Sequence, residues 1–228
     1  MKIFITQYFP VILSTIALLF SILSFWRTSK RYRVFFNNQI DYFLDSAVYC
    51  NDASGHFIPE SAVGYGINFS IDIVNTSPVD IGYFDLVVMD ADTHEQLPLV
   101  TRRSMPPRFR DMIFYRENQT NPLLPSVHHM PEGISGVLKA NAVTQWDLFV
   151  RAGEDTQHIA VSFCVAMKKP PFARRNPYCQ DNFKSFRSEF RVCNVTGWAE
   201  LAKKTRPILG TSYQEAADQD KNHLGFHY

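Results

Sequence analysis

The order of hydrophobic and polar positions divides the chain into an apolar N-terminal run and a longer stretch with strand-like alternation. No charged residue occurs between Ile3 and Trp26, and this run would span roughly 36 Å as an α-helix. A bilayer core is about 30 Å thick, so the run is long enough to cross it with some tilt. We predict that residues 1–27 form a single transmembrane α-helix.

This run is also too long for a cleaved secretory signal. Signal peptides have an apolar region of about 7–15 residues followed by a small-residue cleavage site. Here the run ends in Ser24-Phe25-Trp26-Arg27 with no such site. We therefore expect the anchor to be retained.

A basic cluster follows the apolar run, within a predicted juxtamembrane segment at residues 28–33. The cluster consists of Arg27, which immediately precedes this segment, and of Lys30, Arg31 and Arg33 within it. Because positive charge favours the cytoplasmic side of a membrane, we expect the C-terminal domain of this single-pass protein to lie in the cytoplasm.

Beyond residue 34 the hydrophobic period changes to two, as in strands with one buried face. Residues 67–73 alternate isoleucine or phenylalanine with polar side chains and end at an Asn-Thr-Ser-Pro turn. Aromatic and β-branched residues near 32–36 and 40–49 are typical of one or two more strands. Further strands are predicted at residues 81–90, 112–115, 143–151, 158–167 and 185–195.

The two late strands carry specific expectations for their faces. Residues 158–167 alternate large with small, so the large face should meet the core and the small face should lie beneath another segment. The small residues are Ala160, Ser162, Cys164 and Ala166. For residues 185–195 we expect Phe186, Phe190 and Val192 to point inward and Cys193 outward.

These elements predict a mainly β fold. We expect an immunoglobulin-like antiparallel β-sandwich with one core over residues 34–205, preceded by the N-terminal transmembrane α-helix. The proline-rich residues 101–132 should form a covering loop, and residues 196–204 a short helix. A polar tail is predicted at residues 206–228.

Charge argues against nucleic acid as a partner. Five of the 23 Lys and Arg residues lie in the first 33 residues, which contain no Asp or Glu. The remainder therefore has 18 basic residues against 22 acidic ones. A general nucleic-acid binder would show a strong basic excess instead.

The four cysteines, Cys50, Cys164, Cys179 and Cys193, show no Cys-x-x-Cys spacing. Because the spacing typical of metal ligands is absent, we predict no metal site. In a reducing cytoplasm the four cysteines should be free thiols. The alternative is an exported domain, for which an oxidised Cys164–Cys193 bridge would be supporting evidence. Four Asn-x-Ser/Thr triplets, at Asn68, Asn75, Asn118 and Asn194, would also suit export, but we interpret them as chance.

No catalytic or cofactor motif accompanies this pattern. The His128-His129 pair lies between prolines and should occupy an exposed loop, and Asp90 with Asp92 indicates a turn. No nucleophile elbow, P-loop or dinucleotide fingerprint occurs in the sequence. We therefore expect a protein that is not an enzyme and has no cofactor, although residues that converge only in three dimensions could still form an active site.

Two loops interleave cations with aromatic residues, a composition that suits anionic lipid headgroups. One covers residues 101–116 and the other residues 168–184. Together with the basic cluster, Lys168, Lys169, Arg174 and Arg175 of the second loop are the candidate contacts to a membrane or anionic surface. The alternative is an ordinary solvated loop whose charge is neutralised by nearby acids such as Asp85 and Asp90.

Three stretches carry a resemblance to a known group: Trp26-Arg27 followed by Lys30-Arg31, the strand and turn at residues 67–81, and residues 133–149. On these stretches the chain resembles uncharacterised bacterial single-pass membrane proteins with an immunoglobulin-like β-sandwich behind one N-terminal helix. The resemblance implies the same architecture. It implies no site residues, because that group has no established activity.

The sequence thus predicts a membrane-tethered, non-enzymatic interaction module that binds a protein partner of unknown identity near the inner leaflet. The alternative is an exported, signal-anchored domain that binds glycans or cell-surface ligands.

Overall fold

The computed structural model describes residues 2–43, 48–116 and 125–204, with backbone alone at residues 2–7 and 25–28. The helices are α1 (Lys2–Thr28) and α2 (Trp198–Lys204). The strands are β1 (Tyr32–Phe43), β2 (Val48–Cys50), β3 (Gly66–Asn75), β4 (Ile81–Asp90), β5 (Gln96–Leu97), β6 (Leu99–Val100), β7 (Phe114–Arg116), β8 (Ser126–His128), β9 (Gly136–Leu138), β10 (Ala142–Val150), β11 (His158–Lys168) and β12 (Phe186–Asn194). The predicted tail lies outside the described residues.

All strand pairs are antiparallel and form three sheets. Sheet 1 has the order β1-β3-β10-β6, and sheet 2 has the order β12-β11-β4-β5, with β9 also paired to β4. A small sheet consists of β2, β7 and β8. The prediction of a mainly β fold with antiparallel sheets is confirmed.

The main core lies between sheets 1 and 2. The alternating residues of β3 all contribute to it, from Ile67 to Ile73, and so do Trp146, Leu148 and Val150 of β10. Trp146 of sheet 1 packs edge-on against Phe163 of sheet 2, with ring centroids 5.4 Å apart. The alternation of hydrophobic residues therefore gives the inner faces of these strands correctly.

A second core covers the outer face of sheet 1, which the prediction of a single core did not anticipate. Phe149 of β10 and Phe43 of β1 pack there against Val48 and Phe114 of the small sheet. As a result, polar residues that alternate with the main-core residues, such as Asn68, are also buried. This burial also argues against a glycan at Asn68.

Strands β1 and β12 lie side by side at one edge of the two large sheets. The Tyr32 hydroxyl donates a hydrogen bond of 2.7 Å to the Glu189 carboxylate, and the Arg187 guanidinium lies 4.5 Å from the Tyr32 ring centroid. Farther along, Arg191 donates to the side chain of Asn38. Charged and polar groups thus close this edge.

This edge corrects the predicted facing of β12. Val192, predicted to point inward, is 43% exposed, whereas Cys193 packs against the main core. Phe186 and Phe190 contact Phe84 and Tyr178 on the outer side of sheet 2. Phe186 and Phe190 face outward because the chain between β11 and β12 covers that side of sheet 2. The charged residues of β12 lie at the edge beside β1, where they are half-buried or exposed.

Helix α1 leads almost directly into sheet 1. Its side chains at residues 8–24 are exposed, and only three residues separate it from β1. Arg33, predicted to lie in the juxtamembrane segment, lies within β1 and pairs with Val74. Among the residues that the structure describes, no helix combines the length and the apolarity needed to cross a membrane.

Candidate functional site

The end of the domain where β1 begins also holds the loop between β11 and β12, which we call the 169–185 loop. The backbone N–H of Thr76, after β3, donates 3.1 Å to the carbonyl of Arg31, just before β1. Lys168, the last residue of β11, pairs with Phe186, the first of β12. We call this end, shared by the start of β1 and the 169–185 loop, the proximal end.

The structure places most of the candidate contact residues at the proximal end. The exposed ones are Lys30, Arg31, Arg33, Lys168, Arg174 and Arg175, and Lys169 is half-buried. The side chain of Arg27 lies outside the described residues. Arg31 donates to the hydroxyl of Ser29, and the Arg174 guanidinium lies 5.0 Å from the Phe190 ring centroid.

An open cleft of about 510 Å³ runs along the 169–185 loop. Its lining includes Lys169 and Arg174 on the loop and Arg187 and Glu189 on β12. Phe172, at the rim, is 99% exposed. A fully exposed phenylalanine flanked by cations is a chemical pattern suited to an apolar surface with anionic edges.

The other basic loop, residues 101–116, lies at the opposite end, beside the second core. Three of its cations serve the fold: Arg102 donates to the carbonyls of Arg110 and Met112 at 2.8 and 3.0 Å. Arg110 donates to the carbonyl of Met105. Arg116 forms ion pairs with two buried carboxylates. The two predicted basic loops are therefore not equivalent.

The 169–185 loop is the segment that covers the small face of β11, as the sequence predicts. Buried Asn176 donates 2.9 Å to the Ser162 hydroxyl, while its carbonyl oxygen accepts from the Tyr178 N–H at the same distance. Phe183 packs edge-on against Phe84. One buried amide thus fixes the loop to sheet 2.

Beneath this loop, Cys164 and Cys179 lie with their sulfur atoms 3.5 Å apart. A carboxylate oxygen of Asp85 lies within 4.8 Å of both sulfurs. Cys164 pairs in register with Ser188 and Cys193 pairs with Ile159, so the structure does not contain the Cys164–Cys193 bridge that would have supported an exported domain. All four cysteines are free thiols.

Asp85 occupies a strained position within β4. Its φ of 56° is left-handed, and the pairing between β4 and β11 shifts register there. Such a bulge re-aims a side chain at the cost of local strain. Burial raises the pKa of Asp85, against a hydrogen bond from the Gln180 backbone, and burial also raises the pKa of the Cys164 thiol.

A second polar cluster lies under the small sheet. Asp147, 1% exposed, accepts hydrogen bonds from the Ser70 hydroxyl and from the His129 N–H, the latter at 2.8 Å. Arg116 lies 3.8 Å from Asp147 and 3.4 Å from Asp41. These contacts satisfy a carboxylate that would otherwise be costly to bury.

His128 corrects the prediction of an exposed histidine pair. It is 1% exposed in β8, and within the described residues neither ring nitrogen has a hydrogen-bond partner. Burial lowers the pKa of His128 to about 4, although nearby Asp147 acts in the opposite direction. His129 is exposed, as predicted.

The grouping of Asp85, Cys164 and Cys179 was not predicted, because Asp85 is distant in sequence from the two cysteines and no metal-binding spacing joins them. The available signal was the small-residue face of β11, which indicated a covering segment but not which residues that segment supplies. Asp90 does form the predicted turn, where its carboxylate accepts from the N–H groups of Asp92 and Thr93.

Comparison with known proteins gives no family. No family model matches the chain, and no curated protein matches it. Among solved structures, the chain is similar to a Bacillus subtilis protein described as a "putative lipoprotein (ycdA)", with 9% sequence identity and a TM-score of 0.34. The alignment covers 78% of this chain and 40% of that chain.

Proposed function

We propose that the chain is a membrane-tethered, non-enzymatic interaction module in which α1 is a single-pass anchor and the β domain lies in the cytoplasm. The observation that carries the proposal is the position of the proximal end. The exposed apolar α1, the basic residues that follow it and the 169–185 loop all lie there.

The absence of charge along α1 supports the anchor, although within the described residues no helix reaches the length and apolarity needed to cross a membrane. Helix α1 comprises 27 residues, and from Ile3 to Trp26 it carries no charge. The described side chains of α1, at residues 8–24, are exposed, and most of them are apolar. Leu18, Phe20 and Leu23, for example, are 55–68% exposed. An apolar helix whose described side chains are exposed needs an apolar environment.

The 169–185 loop is the second part of the proposal. Phe172 inserts at the headgroup boundary, while Lys168, Lys169, Arg174 and Arg175 contact anionic lipid alongside Lys30, Arg31 and Arg33. Each cation near such a leaflet contributes about 1 kcal/mol. With this loop on the bilayer, the remaining surface of the domain is free for a protein partner.

The architecture of the domain fits the same proposal. Two facing antiparallel sheets around one main core are the arrangement of an immunoglobulin-like sandwich, a scaffold that serves many binding functions. Membership in the bacterial group that the sequence resembles is part of this proposal.

Topology is tested with an introduced thiol. Ser54 is exposed in a turn, whereas Cys50, Cys164 and Cys179 are buried, so Ser54→Cys supplies an accessible site. In intact cells, a membrane-impermeant maleimide should label Ser54→Cys only after lysis, with the unsubstituted chain as control. Labelling before lysis would contradict the cytoplasmic location and favour the exported, surface-binding alternative.

Contact of the loop with lipid is tested separately. A polarity-sensitive fluorophore is attached to Phe172→Cys in the full chain reconstituted into vesicles. Its emission should shift to the blue in vesicles containing anionic phospholipid, relative to neutral ones, and Arg174→Glu with Arg175→Glu should abolish the difference.

The matched control reverses two exposed cations at the opposite end, Arg103 and Arg108, and should leave the shift unchanged. Equal emission in both kinds of vesicle would contradict lipid contact by the loop. It would not bear on the anchor, which the topology experiment tests separately.

A further inference from the structure

Three side chains with metal-binding atoms meet beneath the 169–185 loop, each from a different segment. Asp85 comes from β4, Cys164 from β11 and Cys179 from the loop, and their ligand atoms lie within 4.8 Å of one another. We propose that these three residues bind a divalent metal ion of the zinc type. The membrane function proposed above does not depend on this site.

The spacing of the two sulfurs suits a metal ion. A Zn–S bond of about 2.3 Å in a tetrahedral site separates two sulfur ligands by about 3.8 Å. The Cys164 and Cys179 sulfurs are 3.5 Å apart, so a small adjustment of the loop completes the geometry. Two thiolates with a carboxylate form a ligand set in which sulfur favours zinc over magnesium or calcium.

Asp85 supplies an independent indication of a ligand. The residue is 8% exposed, and its Oδ2 atom has no hydrogen-bond partner within the described residues. A buried carboxylate oxygen without a partner is costly, and a metal ion would satisfy it. The left-handed backbone and the strand bulge at Asp85 place this group on the outer side of sheet 2, beside the two thiols.

The surroundings fit the charge of such a site. Two thiolates and one carboxylate around a divalent ion leave a net charge of −1. A cavity of about 210 Å³ adjoins Cys179 and includes Lys169, Arg175 and Lys184 in its lining. Lys169 and Arg175 offset the negative charge, whereas Lys184 already forms an ion pair with Asp181. The cavity gives solvent or a small anion access to a fourth coordination position.

A metal ion at this place would join the loop to both neighbouring strands of sheet 2. The Asn176–Ser162 hydrogen bond already fixes the loop at one point. The metal would add a second, stronger attachment and hold the exposed Phe172 in a defined orientation.

The test is a titration of the untagged full chain in detergent, stripped of metal and kept reduced. Cobalt(II) serves as the spectroscopic reporter and zinc(II) as its competitor. We expect one equivalent of cobalt to bind, with sulfur-to-cobalt charge-transfer absorption and the visible bands of a four-coordinate ion, and zinc to displace it.

Cys179→Ser should weaken zinc binding at least tenfold and lower the charge-transfer absorption by about half, since one of two thiolates is lost. Asp85→Asn should weaken binding while the charge-transfer absorption persists. The matched control is Cys193→Ser, which removes a thiol elsewhere in sheet 2 and should bind like the parent chain. Circular dichroism checks that each variant is folded.

Three outcomes would overturn the proposal. The first is a reduced, folded parent chain that binds no cobalt. The second is binding that Cys179→Ser and Asp85→Asn leave unchanged. The third is cobalt absorption without sulfur charge transfer, which would place the ion at another site.

Discussion

At the scale of single residues, His128 shows how the small sheet changes the chemistry of a histidine. The ring is enclosed between β7, β8 and the outer face of sheet 1, and its pKa is lowered to about 4 because burial penalises the charged form. The ordinary value is about 6.5, so the unfolded chain binds a proton more readily than the folded one. The fold is therefore most stable while His128 is neutral, and this part of its stability is lost as the pH is lowered through 6.5 towards 4.

We predict that lowering the pH from 7 to 5 reduces the free energy of unfolding by about 2 kcal/mol through His128 alone. Denaturant titrations of the full chain in detergent at the two pH values measure this difference. His128→Asn should shrink it, whereas His129→Asn, at the exposed neighbour, should leave it unchanged. An equal pH dependence in both variants would contradict the assignment.

Only part of this chemistry could be predicted from residue types. Proline on both sides of His128-His129 indicated an exposed loop, and His129 is indeed exposed. His128 does not, because residues 126–128 pair with β7 and the small sheet then packs on sheet 1. Burial of this kind depends on contacts between distant segments, which alternation within one strand does not encode.

At the scale of elements, the 169–185 loop depends on one buried amide. Asn176 bonds to both Ser162 and Tyr178 while being only 3% exposed. Replacing it with alanine removes the hydrogen bonds to the buried Ser162 hydroxyl and the half-buried Tyr178 N–H, at a cost of about 1–3 kcal/mol.

We therefore predict that Asn176→Ala opens the loop and speeds tryptic cleavage at Arg174 and Arg175 by about tenfold under limited proteolysis. Asn182→Ala changes an exposed asparagine of the same loop and should be cleaved at the parent rate. Equal rates in all three proteins would show that Asn176 does not hold the loop.

Two glycines give a matched test of strand packing. A Cβ atom at Gly66 would lie 2.4 Å from the Val150 carbonyl oxygen, whereas at Gly82 the nearest atom would be 3.4 Å away. Gly66→Ala should lower the free energy of unfolding by about 1–3 kcal/mol. Gly82→Ala should stay within about 0.5 kcal/mol of the parent chain. Denaturant titration compares the two, and equal effects would contradict the close approach of β3 to β10.

The strands themselves were predictable, since β3, β4, β10, β11 and β12 all lie where the alternation places them. The facing of β12 was not. Its Phe186, Phe190 and Val192 look like a core-facing set, but in an edge strand both faces are half-buried, and the covering loop supplies the apolar surroundings. Period alone identifies two faces without saying which one meets the core.

At the scale of the whole molecule, the edge between β1 and β12 joins the two sheets through Tyr32 and Glu189. Removing the hydroxyl in Tyr32→Phe should cost about 1.5 kcal/mol, because the hydrogen bond has a charged, half-buried acceptor. Denaturant titration measures this loss. Tyr65→Phe, at a 48% exposed tyrosine, is the control and should change stability little. A loss as large in the control would indicate that the edge contact contributes nothing specific.

The order of an apolar helix and a β-rich region follows from hydropathy, but the arrangement at the proximal end does not. That arrangement requires the contact of β12 with β1, two segments that are distant in sequence. The same reason hid the meeting of Asp85, Cys164 and Cys179.

The three-residue connection between α1 and β1 has a consequence for any partner of this domain. Three extended residues reach about 10 Å, so on the proposed topology the proximal end stays within a few water layers of the lipid. Encounters there would be governed by lateral diffusion and by the number of partner molecules per unit area of membrane. A partner embedded in the same bilayer would then have the advantage over one that arrives from solution, even at equal intrinsic affinity.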